Sequence, residues 1–234
     1  MIDIQPCDGL ETAHPGRIAA GGVNPILPLS GRYSGSAFNK NIPSDIDFFR
    51  RLAKNLGAKY VVQERINPHD FLKTSYKATH GASSTNAYYI MLRSKGPKFL
   101  DNGREMILDN PSAKANRKDR HHIFPTALIR SKGIQSRWTN SIVNVCYLSA
   151  NENQSISSKP PRQYLPIYKR KRHFGGVMRS CLVPYKASSP IWDGSVKQAF
   201  LGIVNLRGKL IVKEIEKLAG GVRIFETFDA IKRL

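Results

Sequence analysis

Pro125 limits most narrowly what this chain of 234 residues can fold into. It lacks a backbone N–H, so a strand running through Arg120-His-His-Ile-Phe124 cannot continue its ladder past that point. Further on, Val145-Cys-Tyr-Leu148 reads as a short buried strand, built from residue types that suit a pleat. Ser149-Ala-Asn-Glu-Asn153 then reads as a helix start, with Ser149 or Asn151 as the N-cap and Glu152 in the first turn. Between the strands, residues 126–141 hold Leu128-Ile129, a stop at Gly133 and Trp138, which predicts an inserted short helix and loop. The pattern over residues 119–159 is strand, insert, strand, helix. His121 and His122 end the first strand, Asn144 precedes the second, and Asn153 lies on the helix.

These residue types suit phosphodiester hydrolysis. The reaction needs a nucleophilic water, charge stabilisation at the phosphate and help for the leaving oxygen. A histidine titrates near working pH and suits the first task, so His122 is the candidate general base. A metal ion suits the other two, and imidazole nitrogen and amide oxygen are plausible ligands. His121 and Asn153 are the candidate metal ligands, and Asn144 is expected to brace the hairpin. Adjacent residues of an ideal strand point to opposite faces. A twisted strand end, three residues before Pro125, is expected to bring both imidazoles to one site. A histidine pair is more often surface or satisfied core, and an asparagine before a strand is often only a turn residue. The strand-to-helix switch and the spacing favour the catalytic reading.

The resemblance follows from the same residues. His121-His122-Ile-Phe-Pro125 with Asn144 and Asn153 resembles the HNH endonuclease motif, and the gap between the asparagines resembles that of the HNH domain in RNA-guided CRISPR nucleases. More narrowly, residues 30–234 resemble the C-terminal nuclease half of GmrSD-type, modification-dependent restriction proteins. The matching pieces are Arg32-Tyr-Ser-Gly-Ser36, Tyr88-Tyr-Ile-Met-Leu92, the His121–Pro125 run, Ile156-Ser-Ser-Lys-Pro160 with Tyr164, and a helix from Trp192. The resemblance implies a ββα-metal site that leaves a 5′-phosphate and a 3′-hydroxyl. Many members carry Asp where His121 stands. A neutral ligand holds a hard ion such as Mg²⁺ less well, so Mn²⁺ becomes the more credible activator, with Ni²⁺ or Zn²⁺ as alternatives. The family's N-terminal nucleotide-dependent sensor motif is not reproduced by Cys7-Asp-Gly-Leu-Glu-Thr12. A separate sensor or specificity subunit is therefore a candidate partner.

Charge points the same way. The net charge is +20, and residues 117–186 hold fourteen Lys and Arg against Asp119 and Glu152 alone. Such a field attracts polyanions, with DNA as the natural partner. Lys159, Arg162 and Arg120, with the cluster Lys169-Arg170-Lys171-Arg172, are the candidate phosphate contacts. A solvated helix end is the alternative for Lys159 and Arg162. No amphipathic anchor or run of eighteen apolar residues suggests a membrane. The start lacks the pattern of a signal peptide, and three widely spaced cysteines fit a reducing cytoplasm.

The expected fold class is α+β, mostly helical around a ββα-metal hairpin. Residues 1–30 read as an irregular arm, 31–112 as a helical segment, 113–165 as the nuclease site, and 166–234 as a basic segment with a C-terminal helix. Helices are expected at 44–57, with Ile46, Phe49, Leu52 and Leu56 on its apolar face, and at 86–96. The longest should run from Ser195 to Leu218, with Val196, Phe200, Ile203, Leu206, Leu210, Ile215 and Leu218 along one side. His69 and His80 are expected in solvent, and His173 on the basic surface. The function expected is metal-dependent DNA hydrolysis in restriction or defence. The rivals are an inactive nucleic-acid-binding module and a ribonuclease toxin.

Overall fold

The structure, a computed structural model, describes residues 65–76, 83–106, 120–147 and 150–234, with positions 43, 46, 47, 50, 51 and 54 standing singly before them. The N-terminal arm, Arg32–Ser36, Lys59–Glu64, His80 and Arg117–Asp119 lie outside the described residues. Positions 46, 47, 50 and 51 are helical, inside the helix expected over 44–57, but Ile46 is exposed instead of packed.

The described chain is mostly helical with a small two-stranded antiparallel sheet. Helix α1 spans Pro68–Leu72 and α2 spans Ser83–Ser94. Strand β1 is Arg120–His122 and is followed by α3 at Thr126–Arg130, α4 at Ser136–Thr139 and a 3-10 turn at Ile142–Asn144. Strand β2 is Val145–Tyr147, followed by α5 at Ala150–Ile156, α6 at Pro161–Lys169 and α7 at Phe174–Ser180. A second 3-10 turn at Pro190–Trp192 precedes α8 at Val196–Leu218. The helix expected over Ser195–Leu218 is thus present, with Ser195 accepting the Gln198 N–H as its N-cap, and it begins after the Trp192 at which the resemblance started it. The insert between the strands is two short helices and the 3-10 turn, more than the one helix and loop expected.

The core forms where α8 packs on α2, α1, α3 and both 3-10 turns. Phe200 meets Phe124 at 5.2 Å between ring centroids, and Phe71 meets Phe225 at 5.1 Å. Each such fully buried ring stabilises the fold by roughly 1.5–3 kcal/mol. Two glycines let α8 sit this close. A Cβ on Gly202 would stand 2.4 Å from Pro190 Cβ, and one on Gly208 would stand 2.5 Å from Leu72 Cδ1.

The buried face of α8 matches the apolar pattern in part: Phe200, Ile203 and Ile215 are buried as expected and Val196 is half-buried. Ala199, Phe200, Ile203, Val204, Arg207, Gly208, Ile211, Val212 and Ile215 are buried. Leu206, Leu210 and Leu218, expected inside, are 44%, 41% and 36% exposed. The helix turns Arg207 inward, and these three leucines are left towards solvent. Beyond α8, the tail returns across the core, with Ile224 and Phe225 buried and Ile66 bridged in parallel to Phe225. Among the described residues no helix is long and apolar enough to cross a membrane.

Candidate active site

Strands β1 and β2 pair in the register Arg120–Tyr147, His121–Cys146 and His122–Val145. Asn144 sits immediately before β2, fully buried, and its side chain fastens the exit of β1. Its Oδ1 accepts the Phe124 N–H at 2.9 Å, while Nδ2 donates to the carbonyls of Phe124 at 3.0 Å and Thr139 at 2.9 Å. Its own carbonyl accepts the Ile123 N–H at 2.7 Å. The amide therefore uses one acceptor and both donors to hold the backbone just after the histidines, and to fix the insert at Thr139. An asparagine that only filled a turn would leave this amide to solvent.

Cross-strand partners share a face and successive residues alternate. His121 therefore stands on the Cys146 face and is 7% exposed, while His122 stands on the Val145 face and is half-buried. Regular pairing thus extends through both histidines and sets them on opposite faces of the hairpin, so the strand end does not bring the two imidazoles to one face as expected. The His122 ring meets Tyr76 edge-on at 4.9 Å and 87°. Tyr76 is itself held in place. Its N–H donates to the Asn140 carbonyl at 3.0 Å, and its carbonyl accepts the Tyr89 hydroxyl at 3.3 Å.

Arg207, which no apolar pattern could single out, supports the hairpin from behind. It is fully buried, and its guanidinium donates to the carbonyls of Ile142, Val143, Val145 and Cys181 and to the Tyr88 oxygen. Tyr88 in turn donates to the Val145 carbonyl. Here carbonyl dipoles replace the carboxylate that a buried arginine would ordinarily need. Tyr164 on α6 donates to the Ile123 carbonyl at 2.9 Å, so the residue after His122 is held on both its N–H and its C=O. Burial pushes the hydroxyls of Tyr88 and Tyr164 well above their ordinary range, despite the lowering influence of Arg207 on Tyr88. Cys146 and Cys181 are buried free thiols. The hydrogen bond with Cys146, helped by Arg207, lowers the Cys181 thiol to about 7 against the opposing effect of burial.

The remaining predicted residues are distributed along the surface after β2. Asn153 is exposed on α5. Lys159 is exposed in the turn before α6, where Ser157 has a φ of 51°, and Arg162 is exposed in the first turn of α6. Lys169, Arg170, Lys171 and Arg172 are exposed at and beyond its end. Lys169 Nζ lies 4.9 Å from the centre of the Trp192 ring, and Lys171 Nζ donates to the Asp101 carbonyl at 2.6 Å. Only the backbone of Arg120 is described. Two histidines depart from expectation. His69 is half-buried, with Nε2 2.8 Å from the Asp229 carbonyl and its ring edge-on to Phe228. His173 is also half-buried, with Nε2 3.1 Å from the Leu100 carbonyl.

Among the described residues, no three His, Cys, Asp or Glu side chains gather as a metal cage. The donors that the hairpin and α5 offer are a largely buried imidazole and an exposed amide. Neutral imidazole nitrogen and amide oxygen suit a first-row transition-metal ion better than Mg²⁺. Comparison of the chain with known protein families, with curated proteins and with solved structures finds no match.

Proposed function

We propose that this chain is a metal-dependent endonuclease of the HNH type that hydrolyses phosphodiester bonds in DNA, with β1, β2 and α5 as a ββα-metal unit. The observation that carries the reading is the Asn144 amide. It locks the backbone at Phe124, just after the His121-His122 pair, while the strand it precedes pairs with both histidines. A general base must be held within reach of one water, and this bracing fixes the segment that carries His122.

His122 takes the proton of the attacking water, and Tyr76 limits the ring's rotation through its edge-on contact. His121 and Asn153 would hold the divalent ion. When bound, that ion supplies Lewis-acid stabilisation of the phosphate and the leaving oxygen. The neutral ligands make Mn²⁺ a better activator than Mg²⁺. Asn144, Tyr164 and Arg207 are positioning residues, acting on the backbone and not on substrate. Lys159, Arg162 and the Lys169–Arg172 cluster grip phosphates beside the cut, as their exposure permits.

The test is plasmid cleavage by the full chain with Mg²⁺, Mn²⁺, Ni²⁺ or EDTA, beside an RNA substrate and the His122→Ala variant. Metal-dependent DNA cutting that the variant lacks supports the reading. Cutting of RNA alone transfers the chemistry to a ribonuclease.

A further inference from the structure

A second basic surface lies beside the hairpin, away from every residue assigned above. The insert between the strands and the C-terminal tail enclose a groove of about 380 Å³, lined by Lys73, Gln135, Arg137, Trp138, Lys232 and Arg233 among others. Trp138 is 2% exposed and forms its floor, with Lys73 Nζ 5.7 Å from the ring centre. No aspartate or glutamate is among the described residues that line it. Lys73 pairs with the outward Asp70 at 3.3 Å, and Arg137 Nε donates to Gln135 at 2.6 Å. Arg137, Lys232 and Arg233 are exposed and have no ion pair among the described residues.

The walls are fixed in advance. Asn205 on α8 clamps the tail, accepting the Ile231 N–H at 2.7 Å and donating to the Ile231 carbonyl at 2.9 Å. That holds Lys232 and Arg233 opposite α4. The other wall runs directly to the hairpin. Thr74, Ser75 and Tyr76 are bonded along residues 140–142 through Tyr76 N–H to Asn140 and Ile142 N–H to Thr74, at 3.0 and 2.9 Å. Tyr76 then packs on His122.

We propose that this groove binds the phosphate backbone of the same nucleic acid, on the Tyr76 side of the bond whose attacking water His122 deprotonates. It is a polyanion subsite on the side of the hairpin given by α1 and the tail. Arg137, Lys232 and Arg233, without ion pairs among the described residues and set over a preorganised floor, suit phosphates spaced along a strand. The proposal rests on the nucleic-acid part of the function proposed above, and its test is separable from the catalytic part.

The test uses the full chain and the double variant Arg137→Gln with Arg233→Gln. A control variant, Lys213→Gln with Lys217→Gln, removes two exposed charges from α8. Binding of a fluorescent DNA duplex is measured by anisotropy across a salt series, in EDTA so that nothing is cut. Each lost phosphate contact lowers the log–log salt slope by about 0.9. The groove variant is expected to lose about two units of slope by that rule, and the control less than half as much. Equal slopes in wild type and groove variant, or an equal loss in the control, overturn the proposal. A groove-dependent slope in a chain that cuts nothing keeps the subsite and removes the nuclease. Metal-dependent cutting with an unchanged slope keeps the nuclease and removes the subsite.

Discussion

Arg207 donates to the Val145 carbonyl at 2.8 Å, and so ties the middle of the longest helix to the residue paired with His122. The same guanidinium reaches the carbonyls of Ile142 and Val143, so the 3-10 turn that ends in Asn144 hangs on α8. Replacement by Met leaves several buried carbonyls without donors while relieving the buried charge. The expected net loss is about 3 kcal/mol. Replacement by Lys is expected to be no better, because an ammonium keeps the charge but not the planar fork. Urea denaturation checks both. A lysine variant within about 1 kcal/mol of wild type would show that charge alone, not the fork, matters here.

Asn144→Asp keeps shape and acceptor but cannot donate to Phe124 and Thr139. Two buried carbonyls lose their donor and face a carboxyl group instead, and the expected loss is about 2–4 kcal/mol. Cleavage should fall with it even at temperatures where the chain stays folded, because the segment after His122 is no longer held. Denaturation and cleavage assayed on one preparation separate the two effects.

Gly202→Ala sets helix propensity against contact. Alanine favours a helix interior by about 1 kcal/mol, but its Cβ would meet Pro190 Cβ at 2.4 Å and Cγ at 2.6 Å. A proline ring cannot swing aside, so an overpacking cost of about 1–3 kcal/mol is expected to win. Thermal unfolding of the variant should come at a lower temperature than wild type.

Tyr164 gives the chain an alkaline limit. Burial raises its hydroxyl well above the ordinary value near 10, so the folded state keeps a proton that the unfolded state releases. With more protons bound when folded, stability from this group is full below pH 10 and declines as pH rises above it. The stability difference between wild type and Tyr164→Phe should therefore shrink as pH is raised from 9 to about 11. A difference constant over that range would contradict the buried, protonated hydroxyl.

The hairpin was legible in the sequence because its signals are local. Pro125 stops β1, Val145–Tyr147 suits a pleat, and Ser195 caps α8 as a cap residue should. Asn144 was legible as a bracing residue, though not its use of the Phe124 and Thr139 backbone, which depends on how the insert folds back. Arg207 was not legible. A charged residue breaks an apolar stripe on paper, and the carbonyls that justify its burial come from segments up to 65 positions away. Tyr76 was missed for the same reason, since its contact with His122 is made across the fold. The half-buried His69 and His173 meet backbone carbonyls of distant segments, which no spacing announces.

The most direct measurement is the cleavage rate of His122→Ala against wild type in Mn²⁺, with DNA affinity measured on the same preparations. Loss of a general base should cut the rate by about 10²–10⁴ while affinity stays within about twofold, since less than 0.5 kcal/mol of binding is expected to change. A variant that cuts at the wild-type rate would contradict the account, because the hairpin would then be holding a histidine that takes no part in the chemistry.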